Sequence, residues 1–384
     1  MIVNKIWDGN CLDTMSRMPD NFIDCIITSP PYYQLRKYSG IPDYIWDEDK
    51  NCEHKFGEEI IKKIRGTQGS GNTGNNSNPD LSPKKITNGN FCQKCNAWKG
   101  QLGLEPIYQI YLNHLLQIMA ECKRVLKNEG TMFWNMGDSY AGSSNGSWNA
   151  KPEHLGKQFR KNDYGGKYLG QGTGKSNSDI PTKSLMLIPH RFAIRCCDEL
   201  GLILRNDIIW AKKNGMPESV IDRFSKKHEF FFFFVKQQRY YFDLNKIREK
   251  HSLSTISRVQ YDTGHSQKYE GPEGDKINRP QGKKEHILLV GKNPGDVSDF
   301  WDIPTQSSSE KHYATFNSKL IDKPILAGCP EDGIILDPFC GVGTTLIRGL
   351  QLNRKIIGID GSSKYCEIAR KKIENYLLQE KLEL

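Results

Sequence analysis

An α/β architecture, with a mostly parallel sheet and helices on both of its faces, is the fold class the sequence predicts. Three observations carry that reading. Apolar runs of strand length alternate with stretches of helical period, a Pro-Pro turn follows one early run, and a Gly-containing turn joins a late run to a helix. In such sheets ligands bind at the carboxyl ends of the strands, where both turns would lie.

The elements follow in order. Residues 24–28 form a short apolar run ending at Pro30 and Pro31, as a buried parallel strand would. Residues 108–126 place Tyr111, Leu115, Ile118, Met119, Cys122 and Val125 at helical spacing, and Gly130 reads as the break before a strand over 131–135. A helix over 188–200 is closed by Gly201 and followed by a strand over 202–210. The phenylalanine-rich run within 229–235 and residues 333–336 are further strands, and a strand over 354–360 leads into a helix over 363–378. Three stretches, 64–90, 142–179 and 251–285, are rich in Gly, Asn, Ser and Lys; this composition cannot bury enough apolar surface to order itself.

Bulk properties narrow the function class. No apolar run in the 384 residues is long enough to span a bilayer, and the first residues lack the apolar core of a secretory signal, so an intracellular, non-membrane protein is expected. Eleven cysteines, odd in number and scattered, read as reduced thiols rather than a disulfide framework. The formal charge of +9 suits a polyanionic partner. Basic residues gather at Lys151, Lys157, Arg160, Lys161, Lys167 and Lys175, and again at Arg258, Lys268, Lys276, Arg279, Lys283 and Lys284, although solvated loops would look alike.

Two motifs carry chemistry. The first, Asp337-Pro338-Phe339-Cys340-Gly341-Val342-Gly343-Thr344-Thr345, lies between a strand and a helix, and its two glycines let backbone approach a ligand closely. The last glycine of a dinucleotide fingerprint is missing and no Walker lysine is present, so pyrophosphate and triphosphate ligands are disfavoured. Asp360, ending the next strand, is placed to accept hydrogen bonds from ribose hydroxyls. The second motif is Thr28-Ser29-Pro30-Pro31-Tyr32. The prolines fix the backbone so that the Pro30 carbonyl projects rigidly, Ser29 adds a hydroxyl, and Tyr32 adds a flat face. Two acceptors and a stacking ring fit the amino group of an extruded nucleobase.

Together these motifs resemble the permuted, β-class DNA amino-methyltransferases of restriction–modification systems and phages. Their catalytic Ser/Asp-Pro-Pro-Tyr loop precedes an Asp-Pro-Phe-x-Gly-x-Gly-Thr-Thr cofactor motif. The resemblance implies a Rossmann-like class I methyltransferase fold with a mixed, mostly parallel seven-stranded sheet and an inserted target-recognition region. It implies residues 1–245 as the catalytic part, 246–299 as the target-recognition region and 300–384 as the cofactor part. S-adenosylmethionine is the implied cofactor, double-stranded DNA the implied substrate, and a separate restriction endonuclease an implied partner; monomer or dimer is left open. The resemblance implies the catalytic role for Ser29, Pro30, Pro31 and Tyr32. It implies cofactor binding by Asp337, Pro338, Phe339, Gly341, Gly343, Thr344, Thr345 and Asp360, joined by Asn10, where the family has Asp, and by Thr315, Phe316 and Lys319.

Ser29 in place of Asp or Asn points within the family to cytosine N4, with adenine N6 as the alternative, since adenine presents the same amino geometry. Cytosine C5 chemistry would need a nucleophilic Cys in a Pro-Cys loop, which is lacking. A methyltransferase for RNA or protein glutamine, and an inactive DNA-binding protein of the same fold, are the more distant alternatives. The segment 212–224 resembles a DNA-touching stretch, while His190 and Arg191 read more naturally as structural.

Finally, Cys52-x-His54 and Cys92-x-x-Cys95 flank the first Gly/Asn-rich stretch and form a four-ligand set for a structural zinc. The competing reading is two buried thiols with an unrelated histidine.

Overall fold

The computed structural model describes residues 3–38, 40–57, 60–62, 84–86, 90–141, 180–215, 218–248, 299–305 and 317–383. Its strands in chain order are β1 (Lys5–Asp8), β2 (Ile23–Thr28), β3 (Tyr44–Trp46), β4 (Ile60–Lys62), β5 (Lys84–Ile86), β6 (Trp98–Gly100), β7 (Leu126–Met136), β8 (Ile203–Ala211), β9 (His228–Val235), β10 (Phe300–Asp302), β11 (Ile334–Asp337) and β12 (Lys355–Asp360). The helices are α1 (Cys11–Met15), α2 (Tyr108–Val125), α3 (Ile188–Leu200), α4 (Lys319–Gly328), α5 (Thr344–Gln351) and α6 (Ser363–Glu383).

The main sheet runs β1-β12-β11-β2-β7-β9-β8-β10. Its first five strands are mutually parallel, β9 is antiparallel to both neighbours, and β10 pairs parallel with β8. Among the described residues the sheet thus has eight strands rather than the expected seven. The additional edge strand, β10, exists because Trp301 buries itself with its ring centroid 5.7 Å from that of Phe231.

Strand periodicity explains the phenylalanine run. Phe230, Phe232 and Phe234 share one core with Tyr111, Leu115 and Phe192, whereas Phe231 and Phe233 face Ile321 and Ile325 in another. Burying each ring is worth roughly 1.5–3 kcal/mol, so β9 anchors both layers. Helices α1, α2 and α3 cover the first face; α4, α5 and α6 cover the other.

Two local expectations change. Gly130 does not break α2; the helix ends at Val125 and β7 begins at once with Leu126. Gly130 instead sits inside β7 at an irregularity, where Ile23 pairs with Leu126 but Cys25 with Thr131. A Cβ there would meet Leu126 Cδ1 at 2.7 Å and the Asp24 carbonyl at 2.9 Å, so close packing explains this glycine. Within the stretch read as unstructured, Lys84–Ile86 forms an antiparallel ladder with Ile60–Lys62, where isoleucines bracket the Gly/Asn run. The other two stretches, 142–179 and 251–285, lie wholly outside the described residues, as does the rest of 249–298.

Neighbouring strands β11 and β2 position the site. They run in parallel with Leu336 opposite Ile26, yet β11 leads through α5 to β12 on one side, while β2 leads towards α2 and β7 on the other. This reversal opens a crevice at their carboxyl ends. No described helix is long and apolar enough to cross a membrane.

Candidate active site

Thr28, the last residue of β2, donates its hydroxyl to Asp337 Oδ1 at 2.7 Å, joining positions 309 residues apart. Both residues are buried. The two motif loops therefore leave the sheet side by side.

On the β2 side, the serine and tyrosine of the motif enter a polar network. Tyr32 donates its hydroxyl to Glu229 Oε2 at 2.8 Å and accepts from Asn135 Nδ2 at 2.6 Å. Ser29 Oγ lies 3.3 Å from the Tyr32 hydroxyl and 3.5 Å from Asn135 Nδ2. Asn135 also donates to Glu229 Oε2 at 3.0 Å. Lys212 pairs with the other Glu229 oxygen and lies 4.4 Å from the centroid of the Trp210 ring. Burial, and then the charge of Glu229, push the Tyr32 phenol well above its ordinary value, so it stays protonated. The ring is seated against Gly137, where a Cβ would approach Tyr32 Cε2 to 2.6 Å. The Pro31 carbonyl accepts from Tyr111 at 2.7 Å.

On the β11 side, Asp337 Oδ1 also accepts the Phe339 N–H at 3.1 Å, which folds the turn back on the strand. Gly341 has φ +51°, and a Cβ there would project into open space where the residue faces the crevice. Asp360 accepts the Gly341 N–H at 2.9 Å and the Ser362 N–H at 2.8 Å, clamping the turn from the neighbouring strand. Burial raises both Asp337 and Asp360 from 3.8 to about 6. Asn10 caps α1 by accepting the Leu12 N–H at 2.9 Å. Thr345 is buried beside Asp337, and its hydroxyl is directed at that carboxyl.

The two sides enclose a cavity of about 520 Å³. Ser29, Pro30, Pro31 and Tyr32 line one wall, and Asn10, Asp337, Pro338, Phe339, Gly341, Thr344, Thr345 and Asp360 line the other. That volume suits a ligand of drug-like size. The glycine facing open space, the polar turn around it and the carboxylate at the strand end fit an adenosine-bearing cofactor.

The comparisons with known proteins agree over nearly the whole chain. The N6/N4 DNA methylase family profile matches residues 23–371. The chain belongs to that family. It is a DNA methyltransferase, and its methyl donor is S-adenosylmethionine. Among curated relatives, the type II methyltransferase M.Cfr9I of Citrobacter freundii is 28% identical over 369 residues, covering 96% of this chain and 87% of the relative. The type II methyltransferase M.SmaI of Serratia marcescens is 26% identical, covering 96% and 90%. Among solved structures, the PvuII DNA methyltransferase (cytosine-N4-specific) matches with a TM-score of 0.51 at 15% identity, covering 96% of this chain and 89% of that one, a likeness of fold.

Not every residue expected at the methylase's cofactor faces the cavity. Gly343 does not line it; with φ +84° its missing Cβ instead avoids Ala369 Cβ, at 2.9 Å, so it lets α5 pack on α6. Lys319 also lies off the cavity, opening α4 with its N–H on Asn317 Oδ1 at 3.0 Å. Thr315 and Phe316 lie outside the described residues. His190 is structural, with Nε2 3.2 Å from Asp207 and its ring edge-on to Phe230 at 4.4 Å.

Sequence reasoning missed Asn135, Glu229, Lys212 and the wall formed by Tyr44, Trp46 and Gln101. Asn135 and Glu229 did leave a signal, since Asn135 interrupts the apolar run Met132–Met136 and Glu229 adjoins the apolar run Phe230–Val235, both next to the crevice. Trp46 and Gln101 left none, because packing of an insertion puts them there. Away from the cavity, Cys52, His54, Cys92 and Cys95 converge on one another.

Proposed function

We propose that the methylase transfers the methyl group of S-adenosylmethionine to N4 of a cytosine swung out of a DNA duplex. One observation carries this reading: a serine hydroxyl, not a carboxylate, stands at the end of β2 in the same cavity as the 337–345 turn. When bound, the cofactor supplies an electrophilic sulfonium methyl.

An exocyclic amino group is a weak nucleophile because its lone pair is delocalised into the ring. Ser29 Oγ and the Pro30 carbonyl accept its two hydrogens, favouring a pyramidal nitrogen and stabilising the positive charge that develops there. The Pro31 carbonyl is already taken by Tyr111, which leaves this role to Pro30. Serine is too weak an acid to serve as a general base through its alkoxide, so the proton passes to water after transfer. Tyr32, held at its hydroxyl by Glu229 and Asn135, presents a fixed ring for stacking. Asp360 and Asn10 are assigned to the cofactor's adenosine, and the buried Thr345 hydroxyl to its polar groups.

Target choice is assigned to residues 246–299. A second DNA contact is assigned to the loop before β9, where Ile221 and Phe224 are almost wholly exposed (103% and 97%) and suit insertion between bases. Residence in the cytoplasm beside a separate restriction endonuclease completes the reading.

Nucleoside mass spectrometry of DNA from cells expressing the chain tests it. N4-methylcytosine that disappears with Ser29→Ala is the expected result; N6-methyladenine in its place overturns the base assignment.

A further inference from the structure

The cluster of Cys52, His54, Cys92 and Cys95 has no part in the transfer, yet one ligand atom from each lies within 4.8 Å of all the others. Cys52 Sγ and Cys92 Sγ are 3.9 Å apart, and Cys95 Sγ is 3.3 Å from His54 Nδ1. Around a tetrahedral ion, metal–sulfur bonds near 2.3 Å and metal–nitrogen bonds near 2.0–2.1 Å require edges of about 3.8 Å between sulfurs and about 3.6 Å between sulfur and nitrogen. Both measured edges fall within about 0.3 Å of these values. The sulfur–sulfur separation is far beyond the ~2.05 Å of a disulfide.

The backbone supplies an independent sign. The turn from Cys92 to Cys95 aims the Lys94 N–H at Cys92 Sγ, 3.4 Å away, while the Cys92 N–H and carbonyl bond to Ala97 and Asn96 at 2.8 and 2.9 Å. Asn96 takes φ +64° to close that turn. An N–H directed at sulfur stabilises thiolate, the form that binds metal.

We propose that these four side chains hold one structural zinc ion. Three sulfurs and an imidazole in tetrahedral array select zinc by softness and geometry, and four protein ligands leave no open position for catalysis. The position in the fold gives the ion its purpose. Cys52 and His54 follow β3, whereas Cys92 and Cys95 precede β6, so the ion ties the two chain arms at the open end of the β3–β6 ladder. That ladder is clamped to α2 by His114, which stacks with Trp46 at 4.6 Å and Trp98 at 5.5 Å. Trp46, Gln101 and Leu102 then line the reaction cavity. Zinc would therefore hold in register an inserted wall of the active site.

The test uses the full chain purified without chelators. Elemental analysis is expected to find one zinc per chain, falling at least tenfold in a Cys92→Ser/Cys95→Ser double variant and unchanged in Cys197→Ser. Cobalt exchanged into the unaltered chain, which does not rely on any variant folding, is expected to give the intense visible bands of tetrahedral thiolate ligation. The proposal is overturned by any of four results: a chain free of zinc both as isolated and after anaerobic zinc addition, iron in its place, a weak octahedral cobalt spectrum, or full zinc in the double variant.

Discussion

Replacing Thr28 with valine removes the one side-chain bond that joins the two motif loops while keeping the shape of the residue. Thr28 is fully buried and Asp337 is 2% exposed, so water cannot take the place of the lost donor. A hydrogen bond to a charged group contributes about 1.5–3 kcal/mol, and the Phe339 N–H remains on the same oxygen. The expected loss is about 2 kcal/mol near neutral pH. Its pH dependence follows from Asp337, whose pKa burial raises from 3.8 to about 6 in the folded protein. The folded chain holds this proton more tightly than the unfolded chain. The stability it confers is therefore present below about pH 4 and lost as pH rises through about 6. Removing the Thr28 donor penalises the carboxylate and spares the acid, so the variant's deficit should be large well above about pH 6, shrink as pH falls through about 6 and be nearly gone at about pH 4. Urea unfolding followed by tryptophan fluorescence at both pH values reads this directly, with Thr28→Ser as the variant that keeps the hydroxyl. A deficit equal at the two pH values, or under about 0.5 kcal/mol at neutrality, would refute the reasoning.

Other expectations follow from the same geometry. Ser29→Ala should lower methyl transfer at least a hundredfold, with cofactor affinity within about twofold by calorimetry, since the serine acts on the amino group; a matching loss of cofactor binding would contradict that role. Glu229→Ala frees the Tyr32 hydroxyl and strands Lys212, so single-turnover rates should drop about tenfold or more while cofactor binding holds. Asp360→Asn sets an amide donor against the N–H of Gly341 or Ser362 and should weaken cofactor binding about tenfold. In the parent, that affinity should decline as pH falls through about 6, because protonation removes the acceptor; a flat profile argues against Asp360 as the ribose ligand. Phe224→Ala should weaken DNA binding in gel-shift titrations without altering cofactor affinity.

The sequence carried the elements that depend on local pattern. Burial on both faces makes β2, β9 and β12 continuous apolar runs, and the period of α2 and α3 shows their packed sides. The motif loops were legible because chemistry demands rare combinations there, two prolines after a serine and paired glycines after an acid. Strand β10 was not, since three residues carry no period and its place depends on Trp301 finding Phe231. Gly130 was read as a helix break and Gly343 as a ligand-side glycine, and in both the packing reason stayed hidden for one shared cause. A glycine that avoids a clash looks in sequence like one that ends a helix or admits a ligand, and only its neighbours tell them apart.

By itself the order of residues determined the fold class, the two motif loops and the four metal-ligand candidates, because each rests on spacing along the chain. Tertiary structure alone decided that Asn135, Glu229 and Lys212 lock Tyr32, that Asp360 clamps the glycine turn, and that an inserted ladder forms a cavity wall. Those contacts join residues far apart in the chain, and only the packing of the sheet brings such pairs within the few ångströms at which hydrogen bonds act.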